Sequence, residues 1–148
     1  MAKSKVPSEA VCDAGPVIHL DELGALDLLS DFSEVYLPEA VRDEIARHRP
    51  QTLENEQMNF TCVKVELPDD PVLWAFIRAF SLDKGEQEAI QLARNFPKRI
   101  LLTDDAAARL VADRLGLQVH GTIGILMRAV KRQQRQPDQV LSLLHDLP

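Results

Sequence analysis

Short apolar blocks recur along this chain, and their spacing switches between two forms. Some are continuous runs of four or five residues, as in strands buried on both faces. Others repeat every three to four residues, as in helices with one buried side. AVCD (10–13) reads as a buried strand; Gly15-Pro16 then stops it and opens a helix, with Pro16 at the first helical position. A second helix, LGALDLLSDF, follows at once. EVYL reads as the next strand and PEAVRDEIARH as the next helix, ending before Pro50. Residues 49–58 look like an exposed loop, and FTCVKVELP looks like a strand of alternating character whose place in the sheet is open.

From Asp70 the pattern turns helical through WAFIRAF, breaks near Leu82-Asp83 and resumes as KGEQEAIQLARNF. RILLT is a continuous apolar strand, DDAAARLVADRLG a helix closed by Gly116, LQVHG a short strand, and TIGILMRAVKRQ another helix. PDQVLSLLHDL adds a final amphipathic helix that packs on the domain or on a partner. Such βα alternation predicts an α/β fold: a parallel sheet with helices on both faces and its chemistry beyond the carboxyl ends of the strands. Residues 1–8 lack periodicity and read as a flexible terminus, so the expectation is one domain over 9–148.

Composition narrows the class. With 148 residues, 45% of them hydrophobic, the chain can bury a core without staples, and its two cysteines cannot build a disulfide framework. A cytoplasmic setting with no membrane span is expected. The net charge of −6 is uneven: residues 1–74 hold 6 Lys/Arg against 15 Asp/Glu (−9), and residues 75–148 hold 11 against 8 (+3). The positive excess peaks at Arg128, Lys131, Arg132 and Arg135, a phosphate-contacting stripe or a solvated helix face.

The polar residues at strand ends are acidic: Asp13 closes AVCD, and Asp104 with Asp105 closes RILLT. Each is either functional or a helix cap, the latter worth about 1 kcal/mol. Helical position sorts the other acids. At about 100° per residue, Glu44 lies roughly 40° from the centre of its helix's apolar face, whereas Glu39 and Asp43 point away into solvent. Glu86 lies about 50° from the buried face of its helix and Glu88 about 110° away. Glu86 also sits three residues after Asp83, the spacing of a capping box, and the two roles are compatible. Inward carboxylates are costly unless paired or bound to a cation. Asp13, Glu44, Glu86 and one or both of Asp104 and Asp105 would together call for Mg²⁺ or Mn²⁺.

Competing chemistries find no support. The four histidines are isolated and the cysteines lie 50 residues apart, which disfavours zinc. No GxxxxGK[ST], GxGxxG or GxSxG occurs. Met127, Trp74 and the phenylalanines read as core. A receiver-like phosphoacceptor is disfavoured because the acidic pair comes late in the chain.

VCDAGPVIHL, YLPEAVRDEI, LDKGEQEAIQLA and ILLTDDAAARLVADRLGLQVHGTIGIL, in that order, resemble the successive motifs of the PIN domain family. They are closest to a bacterial and archaeal branch described as predicted nucleic-acid-binding proteins. The resemblance runs from about Val11 to Arg132. It implies a three-layer α/β/α fold with a mainly parallel sheet, and a metal-dependent ribonuclease, possible toxin of a toxin–antitoxin pair. By the same resemblance the family acids fall on Asp13, Glu44, Glu86 and the TDD segment, where Asp104 and Asp105 both fit, beside the Thr103 hydroxyl. The chain departs from the family pattern at Ala14-Gly15-Pro16, where many relatives carry Ser, Thr or Asn, and in having Glu86 rather than Asp.

The expectation is an endoribonuclease using Mg²⁺ or Mn²⁺ held by Asp13, Glu44, Glu86, Asp104 and Asp105. Lys98, Arg99, Arg109, Arg114 and the Arg128–Arg135 stripe would guide RNA phosphates. The rival is a catalytically weak module that binds nucleic acid or an antitoxin-like basic partner, and a homodimer is expected by family analogy.

Overall fold

The computed structural model describes residues 9–147; the expected flexible terminus, 1–8, lies outside the described residues. Five strands form one sheet in the order β3-β2-β1-β4-β5: β1 Glu9–Cys12, β2 Glu34–Pro38, β3 Phe60–Val63, β4 Ile100–Leu102 and β5 Val119–His120. All neighbours are parallel, with Ala10 opposite both Val35 and Ile100. The helices are α1 Ala14–Glu22, α2 Glu39–His48, α3 Pro71–Phe80, α4 Lys84–Asn95, α5 Ala106–Arg114, α6 Thr122–Lys131 and α7 Pro137–His145.

Strand periodicity deals the apolar side chains to two faces. Ala10, Cys12, Val35, Leu37, Ile100 and Leu102 join the core under α1, α2, α6 and α7, whereas Val11 and Leu101 join the core under α3, α4 and α5. Strands buried on both faces explain why AVCD and RILLT carry no polar alternation. The sheet runs out in one direction through β1, β2 and β3 and in the other through β4 and β5. Its switch point therefore falls between the carboxyl ends of β1 and β4.

Five expectations change. α1 opens at Ala14 behind its Asp13 cap, so Pro16 is its third residue and not its first. LGALDLLSDF is not an α-helix: past Gly24, at φ +69°, Leu26–Asp31 winds as a 3-10 turn. Leu26, Leu28 and Leu29 are all buried there, and Ser30 Oγ donates to the Asp27 carbonyl at 2.6 Å, a side-chain bond that competes with a continuing α-helix. The 49–58 loop contains a 3-10 turn, Pro50–Glu54, around the buried Thr52. FTCVKVELP supplies only four strand residues, at the sheet edge beside β2. Finally, Met127, Trp74 and Phe96 are 47%, 39% and 48% exposed, and so are not core.

Candidate active site

Asp13 is the residue after β1 and Thr103 the residue after β4, so parallel pairing brings them together at the switch point. Thr103 Oγ1 donates to Asp13 Oδ2 at 2.9 Å, and the other carboxylate oxygen caps α1 by accepting from the Ala14 amide at 2.9 Å. Asp13 is 7% exposed. Capping and inward placement coexist in this one residue.

Glu44 and Glu86 come to the same region on α2 and α4, which pack side by side. Glu86 forms the capping box expected with Asp83: the Glu86 amide donates to Asp83 Oδ1 at 2.8 Å, and the Asp83 amide to Glu86 Oε1 at 2.9 Å. A side chain on Gly85 would begin 3.4 Å from Val41 Cγ2, 3.5 Å from Asp83 Oδ1 and 3.7 Å from Asp13 Oδ1, so the first turn of α4 lies directly against Asp13. Beyond it lies a cleft of about 530 Å³ lined by Glu44, Asp83, Gly85 and Glu88, with Lys64 and Lys84 among the other wall residues.

The structure separates Asp104 from Asp105. Asp104 turns toward α1 and α6: its carboxylate accepts from the Thr122 amide at 2.6 Å, from the Thr122 hydroxyl, and from His19 Nδ1 at 2.8 Å. Asp105 caps α5 through the Ala108 amide at 2.8 Å, and its charge acts on Glu86. The acids that influence one another are thus Asp13, Glu44, Asp83, Glu86 and Asp105.

Their electrostatics follow from burial without neutralisation. Burial is the main reason that the Asp13 carboxyl rises from 3.8 to about 6, against the pull of the Thr103 and Ala14 donors; Asp83 and Glu44 add repulsion. Burial likewise pushes Glu86 from 4.5 to about 7, offset in part by the Asp83 amide and reinforced by Asp83, Asp105 and Asp13. The buried Cys12 thiol is held well above its usual 9.0, first by burial and then by Asp13 and Asp104. Among the described residues, none of Asp13, Glu44, Asp83, Glu86 and Asp105 forms an ion pair.

These are hard oxygen donors of the kind that Mg²⁺ and Mn²⁺ take, and Asp13 is a buried, unneutralised member; the residue set fits such an ion. Among the described residues, no three His, Cys, Asp or Glu side chains already close on one point at bonding distance. The group is an open cradle, not a formed cage. The expectation of carboxylates gathered at metal-bridging distance is corrected accordingly, and Asp104 is the member most fully engaged elsewhere.

The basic candidates scatter. Lys98 and Arg99 precede β4 at the amino edge of the sheet, opposite the acids, and Arg99 pairs with Glu9 at 3.0 Å and lies over the Tyr36 ring at 3.6 Å. Arg128 and Arg132 both hold Asp31, at 3.0 and 2.9 Å, and Arg135 holds Asp27 at 2.8 Å. Partners about a hundred residues upstream, invisible to a local charge count, neutralise most of the stripe. Lys131 is exposed and has no ion pair among the described residues. Arg109 is exposed on α5, and its Nη1 would lie 2.5 Å from a side chain begun at Gly121, which places it beside the Asp104 turn.

Helical counting missed Glu88 and placed Glu39 and Asp43 correctly in solvent. Glu88 is only 6% exposed, more buried than Glu86, because α4 is covered by α2 as well as by the sheet and its buried arc exceeds one stripe. Its Oε1 accepts from the Ala40 amide at 3.1 Å, capping α2, whose own cap position is Pro38. Glu39 and Asp43 are exposed as expected, yet both line the cleft. Asp83 was legible as a cap but not as a neighbour of Asp13; only the packing of α4 against β1 reveals that.

A family profile described as a PIN domain matches residues 9–148. No curated protein matches the sequence. Among solved structures, a PilT N-terminus domain protein from the hyperthermophilic archaeon Sulfolobus solfataricus P2 superimposes with a TM-score of 0.61 at 14% identity, over 82% of this chain and 93% of that one. At that identity the superposition supports the three-layer fold.

Proposed function

Since the chain belongs to the PIN domain family, whose members are generally nucleases, we propose that it is a metal-dependent endoribonuclease, with Asp13, Glu44, Glu86 and Asp105 as the ion's carboxylates. The observation that carries this reading is the set of inward, unneutralised acids around the β1/β4 switch point. Mg²⁺ or Mn²⁺ held by these carboxylates would supply Lewis acidity, lowering the pKa of a water so that hydroxide is available as nucleophile and stabilising the charge that develops on the phosphate.

The protein's own residues prepare that site. Thr103 holds one Asp13 oxygen and the Ala14 amide the other, fixing the carboxylate plane. The capping box fixes one Glu86 oxygen and leaves the second free. Asp105 caps α5 through one oxygen and likewise keeps one free. Asp104 positions: it ties the end of β4 to α1 and α6 and needs no ion to be satisfied.

Incubating the parent with a mixed RNA pool, with Mn²⁺ and with chelator, tests the reading. Cleavage only with metal is expected, lost in Glu86→Gln, which keeps the capping geometry and removes the charge. An inactive parent whose stability ignores Mn²⁺ would refute it and favour a module whose acidic first half receives a basic protein segment. Thermal shifts with Mn²⁺ for Asp105→Asn and Asp104→Asn assign the ligand: the first should lose the response, the second should lose stability and keep it.

A further inference from the structure

A second cavity, of about 340 Å³, opens beside the last residues of β4 and β5. It is lined by Phe32, Leu102, Ile125, Met127, His120 and Lys131, together with Gly124 and Arg128. Leu102 and His120 are the last residues of β4 and β5, so the cavity stands at their carboxyl ends, two residues along the chain from Asp104 and Thr122. Its floor is apolar, because Phe32, Leu102 and Ile125 are all buried, and Met127 lies exposed at the rim.

The polar side of the cavity is cationic. Lys131 is the one member of the basic stripe with no ion pair among the described residues. Arg128 lies over the Phe32 ring at 4.7 Å and is fixed by Asp31. A side chain on Gly124 would begin 3.4 Å from His120 Cβ and 3.5 Å from its Nδ1, so the glycine keeps the imidazole wall clear. An apolar floor with a flat cation beside it suits a planar aromatic ring, and a free ammonium at the mouth suits an anion. We propose that this cavity seats one nucleotide unit, its base against Met127 and the Arg128 guanidinium above the apolar floor and its phosphate on Lys131.

This site rests on the nuclease reading for its role. It would be a subsite for a nucleotide flanking the scissile bond, and so would set the strand's direction across the acids. The Arg128–Arg135 stripe then contributes one phosphate contact through Lys131, because its arginines hold the fold.

The test uses binding without cleavage: fluorescence anisotropy of a labelled 12-nucleotide single-stranded RNA, in chelator, across a salt series. Lys131→Glu should weaken binding about tenfold and lower the salt slope by roughly 0.7, one single-strand phosphate. The charge-matched Arg78→Glu, on an exposed α3 position that lines neither cavity, should not. Adenosine and uridine 5′-monophosphates, titrated separately while the Gly124 amide is followed by NMR, distinguish a free nucleotide from a strand. Shifts with the RNA and with millimolar monophosphate support the site. Unchanged Gly124 in both, or equal losses in Lys131→Glu and Arg78→Glu, would overturn it. Metal-dependent cleavage that persists through that failure leaves the nuclease reading standing, whereas RNA binding at Gly124 without cleavage under any metal would sink the nuclease reading alone.

Discussion

Replacing Asp13 by Asn separates a metal ligand from a mere helix cap. The amide keeps an acceptor for Ala14 and places a donor against Thr103, whose hydroxyl can turn to accept. What disappears is a buried charge. A carboxyl raised from 3.8 to about 6 binds its proton more tightly in the folded state, so its contribution to stability is full below about pH 4 and is lost as pH rises through 6. By pH 8 that loss is on the order of 3 kcal/mol. Seating an amide against Thr103 in place of the neutral carboxyl costs about 1 kcal/mol in return. The apo variant should therefore exceed the parent by about 2 kcal/mol at pH 8, roughly 6 °C in Tm, and match it at pH 4.5. Saturating Mn²⁺ should reverse the order, since an ion at 100 times its Kd adds about 2.7 kcal/mol to the parent and less to the variant. Thermal scans at both pH values, with chelator and with Mn²⁺, read all four states. An apo variant less stable by the same amount at both pH values, and a parent indifferent to Mn²⁺, would refute the reasoning.

Because Asp13 and Glu86 must lose protons to bind a cation, initial cleavage rates with Mn²⁺ should climb between pH 5.5 and 8; a flat profile over that range would count against their direct involvement. Glu88→Ala should cost about 1–2 kcal/mol through the uncapped start of α2, seen as a lower urea midpoint with an unchanged slope. Gly121→Ala would begin a side chain 2.6 Å from Asp104 Oδ1 and 3.3 Å from the Thr103 carbonyl, so a loss of about 1–3 kcal/mol is expected, together with a shifted His19 ring signal in NMR.

The layered fold was legible because its signals are local. Continuous apolar runs marked the inner strands β1 and β4, and Pro38 and Gly116 marked helix boundaries, whereas Pro16 placed the start of α1 two residues late. The strand order was not, since nothing in FTCVKVELP says which neighbour it takes; pairing beside β2 is a tertiary outcome. At the site, Asp13 and Glu44 could be found from strand ends and helical phase. Glu88 could not, because counting phase against one buried face fails for a helix covered on two sides. The basic stripe misled for the opposite reason. Its arginines look unpaired only until a turn a hundred residues earlier brings Asp27 and Asp31 beneath them.

Glu88 also has a consequence for how the cleft can breathe. Glu44 rides on α2, while Asp83 and Glu86 ride on the first turn of α4; one hydrogen bond, from the Ala40 amide to Glu88, staples the two helices at the cleft wall. Relative sliding of α2 and α4 must first break that staple. The acids therefore approach or part mainly by swinging their own side chains, and the jaw that carries them stays at one width. A cradle of fixed width and movable tips selects an ion by what its carboxylates can reach, so shortening one arm, as in Glu86→Asp, should alter the choice between the smaller Mg²⁺ and the larger Ca²⁺ without moving either helix.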